Sequence, residues 1–261
     1  MIFTIVIILL LIGIGFIAFM YREANADRVI LNHLSFEEFP ASFGEVKIFF
    51  ISDIHKRVVS DQIIEEVRLL KPNITIIGGD LVEKGVPLQR VKENLTKLKT
   101  LGPVYFVWGN NDYEVNFREL DTIFLDFGVK VLDNTAVSFE SEAGDEFILL
   151  GVDDMSKKRD RLDLALLDAG QTGFKVLVSH SPQIISKIKK EHQISLVLSG
   201  HTHGGQIHIL GYSPYEKGGI KKRKETTLLI SNGYGTTALP LRLGAKAETH
   251  LISLKNGKYD A

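Results

Sequence analysis

Two imidazoles stand one residue apart in Gly200-His201-Thr202-His203-Gly204-Gly205-Gln206, directly after the apolar run Leu196-Val197-Leu198-Ser199. A short apolar run bounded by turn residues reads as a buried strand, which puts both histidines in the loop at its end. The Gly204-Gly205 pair lets the backbone turn tightly or come close to a ligand. Neutral imidazole is a common metal ligand. A pair of solvated loop histidines gives the same short motif, so the chemistry turns on whether other strand ends supply matching ligands.

They do. Residues 46–52 read as a strand that closes with Asp53-Ile54-His55. Residues 74–77 form a second apolar run, closed by Gly78-Gly79-Asp80, and residues 104–108 a third, ending in Gly109-Asn110-Asn111-Asp112. Residues 174–179 make another, with His180 at its end. A polar residue in a loop is ordinarily a cap or a turn former. A series of strand ends carrying Asp, His and Asn is harder to ascribe to capping, because ligands of open α/β sheets bind in the crevice outside the carboxyl ends of the strands. The chain has no cysteine. That excludes disulfides and thiolate sites, and leaves nitrogen and oxygen ligands suited to Mn, Fe, Zn or Mg.

The elements needed to hold these ends are legible. Ser60 precedes Ile63, Ile64, Val67, Leu69 and Leu70, spaced as on an amphipathic helix with an N-cap, and Pro72 stops it. Residues 86–100 and 117–127 also have helical period. Strand, polar loop and helix thus repeat three times, the pattern of a sheet with helices on its faces. From residue 129 the runs shorten: 129–132, 136–139 and 147–151 read as an antiparallel stretch joined by turns such as Ala143-Gly144-Asp145. Residues 160–167 and 184–190 read as helices, and 207–210, 226–231 and 248–254 as strands.

The chain has 261 residues, 44% hydrophobic and 24% charged, ordinary for a globular protein, and its net charge of −1 gives no reason to expect a nucleic-acid surface. Residues 1–20 are almost wholly apolar, broken only by Thr4, Gly13 and Gly15. Twenty helical residues span about 30 Å, the thickness of a bilayer's hydrocarbon core. Tyr21 and Arg22 suit the interface that follows. Residues 1–22 therefore read as a transmembrane anchor, which makes the protein single-pass at the cell membrane. The rival is a cleaved signal peptide, favoured by Ala24-Asn25-Ala26 but opposed by the missing basic n-region and by an apolar run longer than the usual stretch of about 7–15 residues. Arg22 and Arg28 follow the span and no Lys or Arg precedes it, which places the rest of the chain in the cytoplasm. Residues 23–44 read as a juxtamembrane connector or an edge strand, ahead of a domain over 45–261.

In order, the strand ends carry Asp53-Ile54-His55, Gly79-Asp80, Gly109-Asn110-Asn111, His180 and Gly200-His201-Thr202-His203. This series resembles the calcineurin-like metallophosphoesterase superfamily, whose pattern is Asp-x-His, Gly-Asp, Gly-Asn-His, a lone His, then Gly-His-x-His. Gly204-Gly205-Gln206, Ser231-Asn232-Gly233-Tyr234-Gly235 and Pro240-Leu241-Arg242 look like its membrane-associated branch. The resemblance implies an α/β fold, a four-layer α/β/β/α sandwich of two mixed sheets behind one N-terminal transmembrane helix. It implies two divalent metal ions, Mn, Fe or Zn. One would take Asp53, His55 and His203, the other Asn110, His180 and His201, with Asp80 bridging. It also implies a membrane-anchored phosphoesterase. Its substrate would be a phosphomonoester, phosphodiester or pyrophosphate, including one on a lipid head group, attacked by a hydroxide bridging the metals. Two ions about 3.5–4 Å apart clamp phosphoryl oxygens for such a displacement.

One position departs from the pattern. Asn111 stands where the family carries a histidine that contacts the phosphate. An amide can donate a hydrogen bond to a phosphoryl oxygen but cannot act as a general acid, a contribution of typically about 10²–10⁴-fold. A weakly active or non-catalytic metal-binding protein is therefore the alternative, and a nuclease a second one. Asp112 is assigned a supporting role only. His33, His192, His208 and His250 fall outside the pattern and read as surface or packing histidines. The basic run Lys217-Gly218-Gly219-Ile220-Lys221-Lys222-Arg223-Lys224 reads as a flexible solvated loop or as a contact to anionic lipid.

Overall fold

The computed structural model describes residues 1–258. An apolar helix, α1 (Ile2–Ala24), comes first. By length and composition it is able to cross a membrane. Among the described residues, only its last turns touch the rest of the chain, where Met20 and Ala24 are buried. The helix end is held by hydrogen bonds: the Arg242 backbone N–H donates to Met20 O at 3.0 Å, and Arg57 Nη2 donates to Asn25 O at 3.0 Å.

Twelve strands follow: β1 (Val29–Phe36), β2 (Glu45–Ile51), β3 (Ile74–Ile77), β4 (Val104–Phe106), β5 (Lys130–Val131), β6 (Thr135–Glu140), β7 (Glu146–Gly151), β8 (Phe174–Val178), β9 (Ile194–Ser199), β10 (Gly219–Arg223), β11 (Thr226–Ile230) and β12 (Thr249–Asn256). Four helices lie among them: α2 (Asp61–Leu70), α3 (Leu88–Leu98), α4 (Phe117–Phe127) and α5 (Leu162–Ala169). The strands form two six-stranded sheets, β1-β12-β2-β3-β4-β5 and β10-β11-β9-β8-β7-β6. Both are mixed: β2 through β5 are parallel while β12 runs against β2, and β7, β8, β9 and β11 are parallel while β6 and β10 run against their neighbours.

Strand side chains alternate between two faces, and the burial shows where each face goes. Ile48 and Phe50 of β2 meet Leu149, Val176 and Leu198 of the second sheet in a core between the sheets. Phe49 and Ile51, one residue out of phase, pack on α2, α3 and α4 through Ile63, Val67, Val91, Leu95, Leu120 and Phe124. Ile148, Leu150 and Val197 pack on α5. The result is the expected sandwich of helix, sheet, sheet and helix. The caps follow the sequence too: Ser60 Oγ accepts from Ile63 N at 3.2 Å to start α2, and Lys71 in the left-handed region ends it before Pro72.

Four expectations are corrected. Of the two readings of residues 23–44, the edge strand holds for 29–36: β1 lies at the edge of the first sheet and pairs in parallel with β12 from Val29 opposite Thr249 to Phe36 opposite Asn256. The folded unit therefore starts before residue 45, because Leu34, Phe36 and Phe39 fill the inter-sheet core. Positions 259–261 of the expected domain lie outside the described residues. The stretch from 129 is antiparallel only between β6 and β7; β5 joins the first sheet and β7 runs parallel to β8. Residues 207–210 make isolated bridges and no strand. The basic run is not a loop but mostly β10, whose Lys221 and Arg223 pair with Glu216 at 2.7 and 3.2 Å.

A chain starting at residue 45 should unfold at a much lower temperature than one starting at 25, followed by circular dichroism. Three buried apolar side chains at about 1.5–3 kcal/mol each are at stake. Equal midpoints would show β1 to be dispensable.

Candidate metal centre

Because β2, β3, β4, β8 and β9 each end at the same edge of their sheet, their following loops meet. The loops are stitched by backbone hydrogen bonds: Asp53 N–H to Gly79 O at 3.0 Å, His55 N–H to Asp80 O at 3.1 Å, and Gly200 N–H to His180 O at 3.0 Å. The two sheets are joined there by the His201 N–H, which donates to the Asp53 carboxylate at 3.1 Å.

Asp53, His55, Asp80, His201 and His203 all have positive φ, between 50° and 71°. Non-glycine residues rarely adopt this region, and clusters of them mark functional sites. The glycines in front of the polar residues serve close approach. A Cβ on Gly109 would lie 2.3 Å from Asp80 N and Asp80 Oδ1, and one on Gly200 would lie 2.3 Å from Asp53 Oδ2. Any side chain at either position would push an aspartate out of place.

The side chains gather into two groups able to hold a cation: Asp53, His55 and His203, and Asp80, His180 and His201. His55 Nε2 is 3.1 Å from His203 Nε2, and His203 Nε2 is 3.4 Å from Asp53 Oδ1. His201 Nδ1 is 3.2 Å from His180 Nε2, which is 3.2 Å from Asp80 Oδ2. Facing ring nitrogens at such distances need a proton or a metal ion between them. His180 Nδ1 donates to Gly78 O at 2.8 Å, which fixes the tautomer and turns Nε2 toward the site. Asn110 Oδ1 is buried and has no hydrogen-bond partner, as fits an oxygen reserved for a cation.

The charges are strongly coupled. Burial opposes ionisation of Asp53 and Asp80, yet the imidazoles around them hold both carboxyls well below the usual range. Burial would lower His180, but the Asp80 charge and hydrogen bond outweigh it and raise the ring to about 10. His203 goes the other way. Its burial dominates over the Asp53 charge, and with His55 and Arg242 nearby the ring is held down to about 4. His201 is lowered by burial and by His180.

A family profile described as calcineurin-like phosphoesterase matches residues 46–205, more than half of the chain and all of these strand ends. The chain belongs to the calcineurin-like phosphoesterase family. It is a metal-dependent phosphoester hydrolase, and the family works with a binuclear metal centre. The chain is 45% identical over 240 residues to the Bacillus subtilis (strain 168) protein YpbG, covering 90% of each. It is 28% identical over 258 residues to a transmembrane protein with metallophosphoesterase domain from Danio rerio, covering 90% of this chain and 59% of that protein. Haemophilus influenzae NAD nucleotidase shares the fold, with a TM-score of 0.55 and 14% identity over 73% of this chain and 46% of the nucleotidase.

Several supports of this phosphoesterase site carry no motif of their own. Asp112 is fully buried and its carboxylate accepts from Asp80 N at 2.8 Å, Gly109 N at 2.9 Å and Val82 N at 3.1 Å, so it shapes two strand-end loops at once. Burial and the Asp80 charge push it up to about 7. Glu83, three residues beyond Asp80, lies 3.1 Å from His55 Nδ1 and 2.7 Å from Lys56 Nζ. A carboxylate behind an imidazole orients it as a ligand; the spacing Asp80-Leu81-Val82-Glu83 was the available signal. Asp154, at the end of β7, is buried with Oδ1 unpartnered, and its charge reaches His201. The expectation of an antiparallel hairpin hid it, because a strand parallel to β8 brings its end to the same edge. His33 is exposed, His192 half-buried, and His250 lies against Asn32 and Glu248. His208 Nε2 donates to Gly204 O at 2.6 Å, a packing role.

Loading the metal-free protein with Mn²⁺ at pH 7 should release protons. His180 keeps its proton below about pH 10, and a cation needs the neutral ring. Affinity should therefore fall as the pH falls. Titration calorimetry in two buffers of different ionisation enthalpy measures the release; identical heats in both would contradict the protonated ring.

Proposed function

We propose that this phosphoesterase holds one cation on Asp53, His55 and His203 and a second on Asn110, His180 and His201, with Asp80 between them. The position of Asp80 carries the reading. Its Oδ2 lies 3.8 Å from His55 Nε2 and 3.2 Å from His180 Nε2, reaching one imidazole of each group. Two divalent ions held there, Mn, Fe or Zn, would supply a hydroxide at neutral pH and polarise the phosphoryl oxygens.

The chain's own part is to bind and orient. The Asn111 N–H donates to Asp80 Oδ1 at 2.8 Å, and Asn111 Oδ1 accepts from Asn110 Nδ2 at 2.8 Å. This leaves the Asn111 amide hydrogens to point at a phosphoryl oxygen. Asn111 offers no titratable proton, so this position cannot help a poor leaving group depart. The substrates favoured among monoesters, diesters and pyrophosphates are those whose leaving group is stable as an anion.

In the same reading α1 is a membrane anchor. Its length and exposure support this, as does the name of the Danio rerio relative. Arg22 and Arg28 after the span favour a cytoplasmic domain.

The test is Mn²⁺-dependent hydrolysis by the full chain in detergent, comparing an aryl with an alkyl phosphate. Asp80→Asn should lower the aryl rate by roughly a hundredfold or more, and a variant at full rate would sink the reading. Asn111→His should raise the alkyl rate more than the aryl rate, by restoring an acid. No activity in either form would favour a binding protein instead.

A further inference from the structure

The chain that follows His203 makes a surface of unusual kind. Ile209, Leu210, Tyr212 and Tyr215 project into solvent, and so does Leu239 on the adjoining segment. The segments are bonded together. His208 N–H donates to Leu243 O at 2.8 Å, Leu243 N–H to Gln206 O at 2.9 Å, and Gln206 Nε2 to Leu239 O at 2.9 Å. A single exposed apolar side chain needs no account, but five on two joined segments form a patch that marks an interaction site.

The tip of the patch is built at a cost. Ile209 and Tyr212 exchange backbone hydrogen bonds at 3.0 and 2.9 Å, with Leu210 at φ 53° and Gly211 at φ 83° between them. Positive φ at both central positions is the tight hairpin turn that favours Asn-Gly. Leucine is a poor choice there, and its side chain packs on nothing in the domain.

The patch sits beside the exit of α1. Arg242 links them: its backbone N–H donates to Met20 O at 3.0 Å, and its Nη1 donates to His203 O at 3.2 Å. Before Met20 the helix leaves the domain, since residues 1–19 are all exposed. Helix exit, patch and ligand loop thus lie within reach of one arginine. Large aliphatic side chains with tyrosines, next to a hydrophobic span, match the interfacial layer of a membrane.

We propose that Ile209, Leu210, Tyr212, Tyr215 and Leu239 sink into the interface of the bilayer that α1 enters, which holds the metal loop at the head-group layer and within reach of lipid-borne phosphate. The inference rests on the reading of α1 as an anchor. It does not rest on the basic run, most of which is β10 paired with β11.

The chain has no cysteine, so one introduced thiol carries one fluorescent label. Full-length Leu210→Cys, Ile12→Cys and Leu69→Cys proteins are reconstituted in vesicles of phosphatidylcholine and phosphatidylglycerol. Leu69 is exposed in the last turn of α2, at the edge where β3 begins, opposite the ligand edge. The Leu210 label should be quenched several-fold more than the Leu69 label by lipid carrying a nitroxide near its head group, and several-fold less by aqueous iodide. The Ile12 label should respond to a nitroxide deep in the acyl chains. If Ile12 is in the bilayer but Leu210 behaves as Leu69 does, the docking is overturned and the anchor stands. If Ile12 is open to iodide, the anchor falls and the docking with it. Shielding of Leu210 from iodide without quenching by lipid would mean a protein covers the patch, and would also overturn the proposal.

Discussion

Two carboxylates, Asp53 and Asp80, lie next to each other with 0 and 2% of their surface exposed. Burying one uncompensated charge is already prohibitive, and two of the same sign repel as well. The fold therefore requires positive charge between them, and four strand-end histidines supply the place for it. Without a metal, burial opposes a charge on His180, but the Asp80 charge and hydrogen bond outweigh it and leave the ring holding a proton; a cation held at Nε2 would take that proton's place. The cation site is thus not an ornament added to a finished sandwich. It is the solution to a charge problem that the convergence of five strand ends creates, so metal binding and folding stability are coupled in this protein.

The same convergence strains the backbone. Five of the seven expected ligands sit at positive φ, and at about 1 kcal/mol or more each this amounts to on the order of 5 kcal/mol. That is comparable with the low end of a domain's whole net stability. Only a rigid scaffold can carry it. The two sheets provide one, with a dry core between them and a helical layer on each outer face. The aspartates and histidines are held where their lone pairs point inward, and the backbone bonds from Asp53 to Gly79 and from Gly200 to His180 keep the loops from relaxing.

Much of the site was legible because each ligand follows an abrupt end of an apolar run, and such runs are strands whether or not their neighbours are known. What escaped depended on distant partners. β1 was legible only as one of two readings, connector or edge strand, since the partner that decides it, β12, lies more than 200 residues along the chain. The direction of β7 is set by β8 and not by its own residues, so Asp154 stayed hidden. The run at 207–210 reads locally as a strand, yet Ile209 and Leu210 face outward. Glu83 was one turn-length from a recognised ligand, and only the position of His55 reveals its use.

Arg242 belongs to a recognised stretch, Pro240-Leu241-Arg242, but nothing in that stretch reveals its role. The side chain is fully buried, and all but one of the hydrogen-bond acceptors around it are backbone carbonyls: His203 and Ala245 on Nη1, and Asn232, Gly233 and Gly235 on Nη2, the exception being His203 Nδ1 at 3.3 Å from Nη2. No side-chain pattern can announce carbonyl partners. A planar guanidinium with five donors can satisfy several of them at once, which an ammonium cannot match. Its charge also helps burial keep the His203 ring unprotonated. Through its own backbone N–H it grips the last turn of α1, and only residues 25–28 separate that helix from β1. A flexible stalk would leave the distance between domain and span to chain statistics. Here α1, the tail segment and the His203 loop are all tied to one buried residue, so the orientation of α1 relative to the candidate metal centre is set by the fold itself.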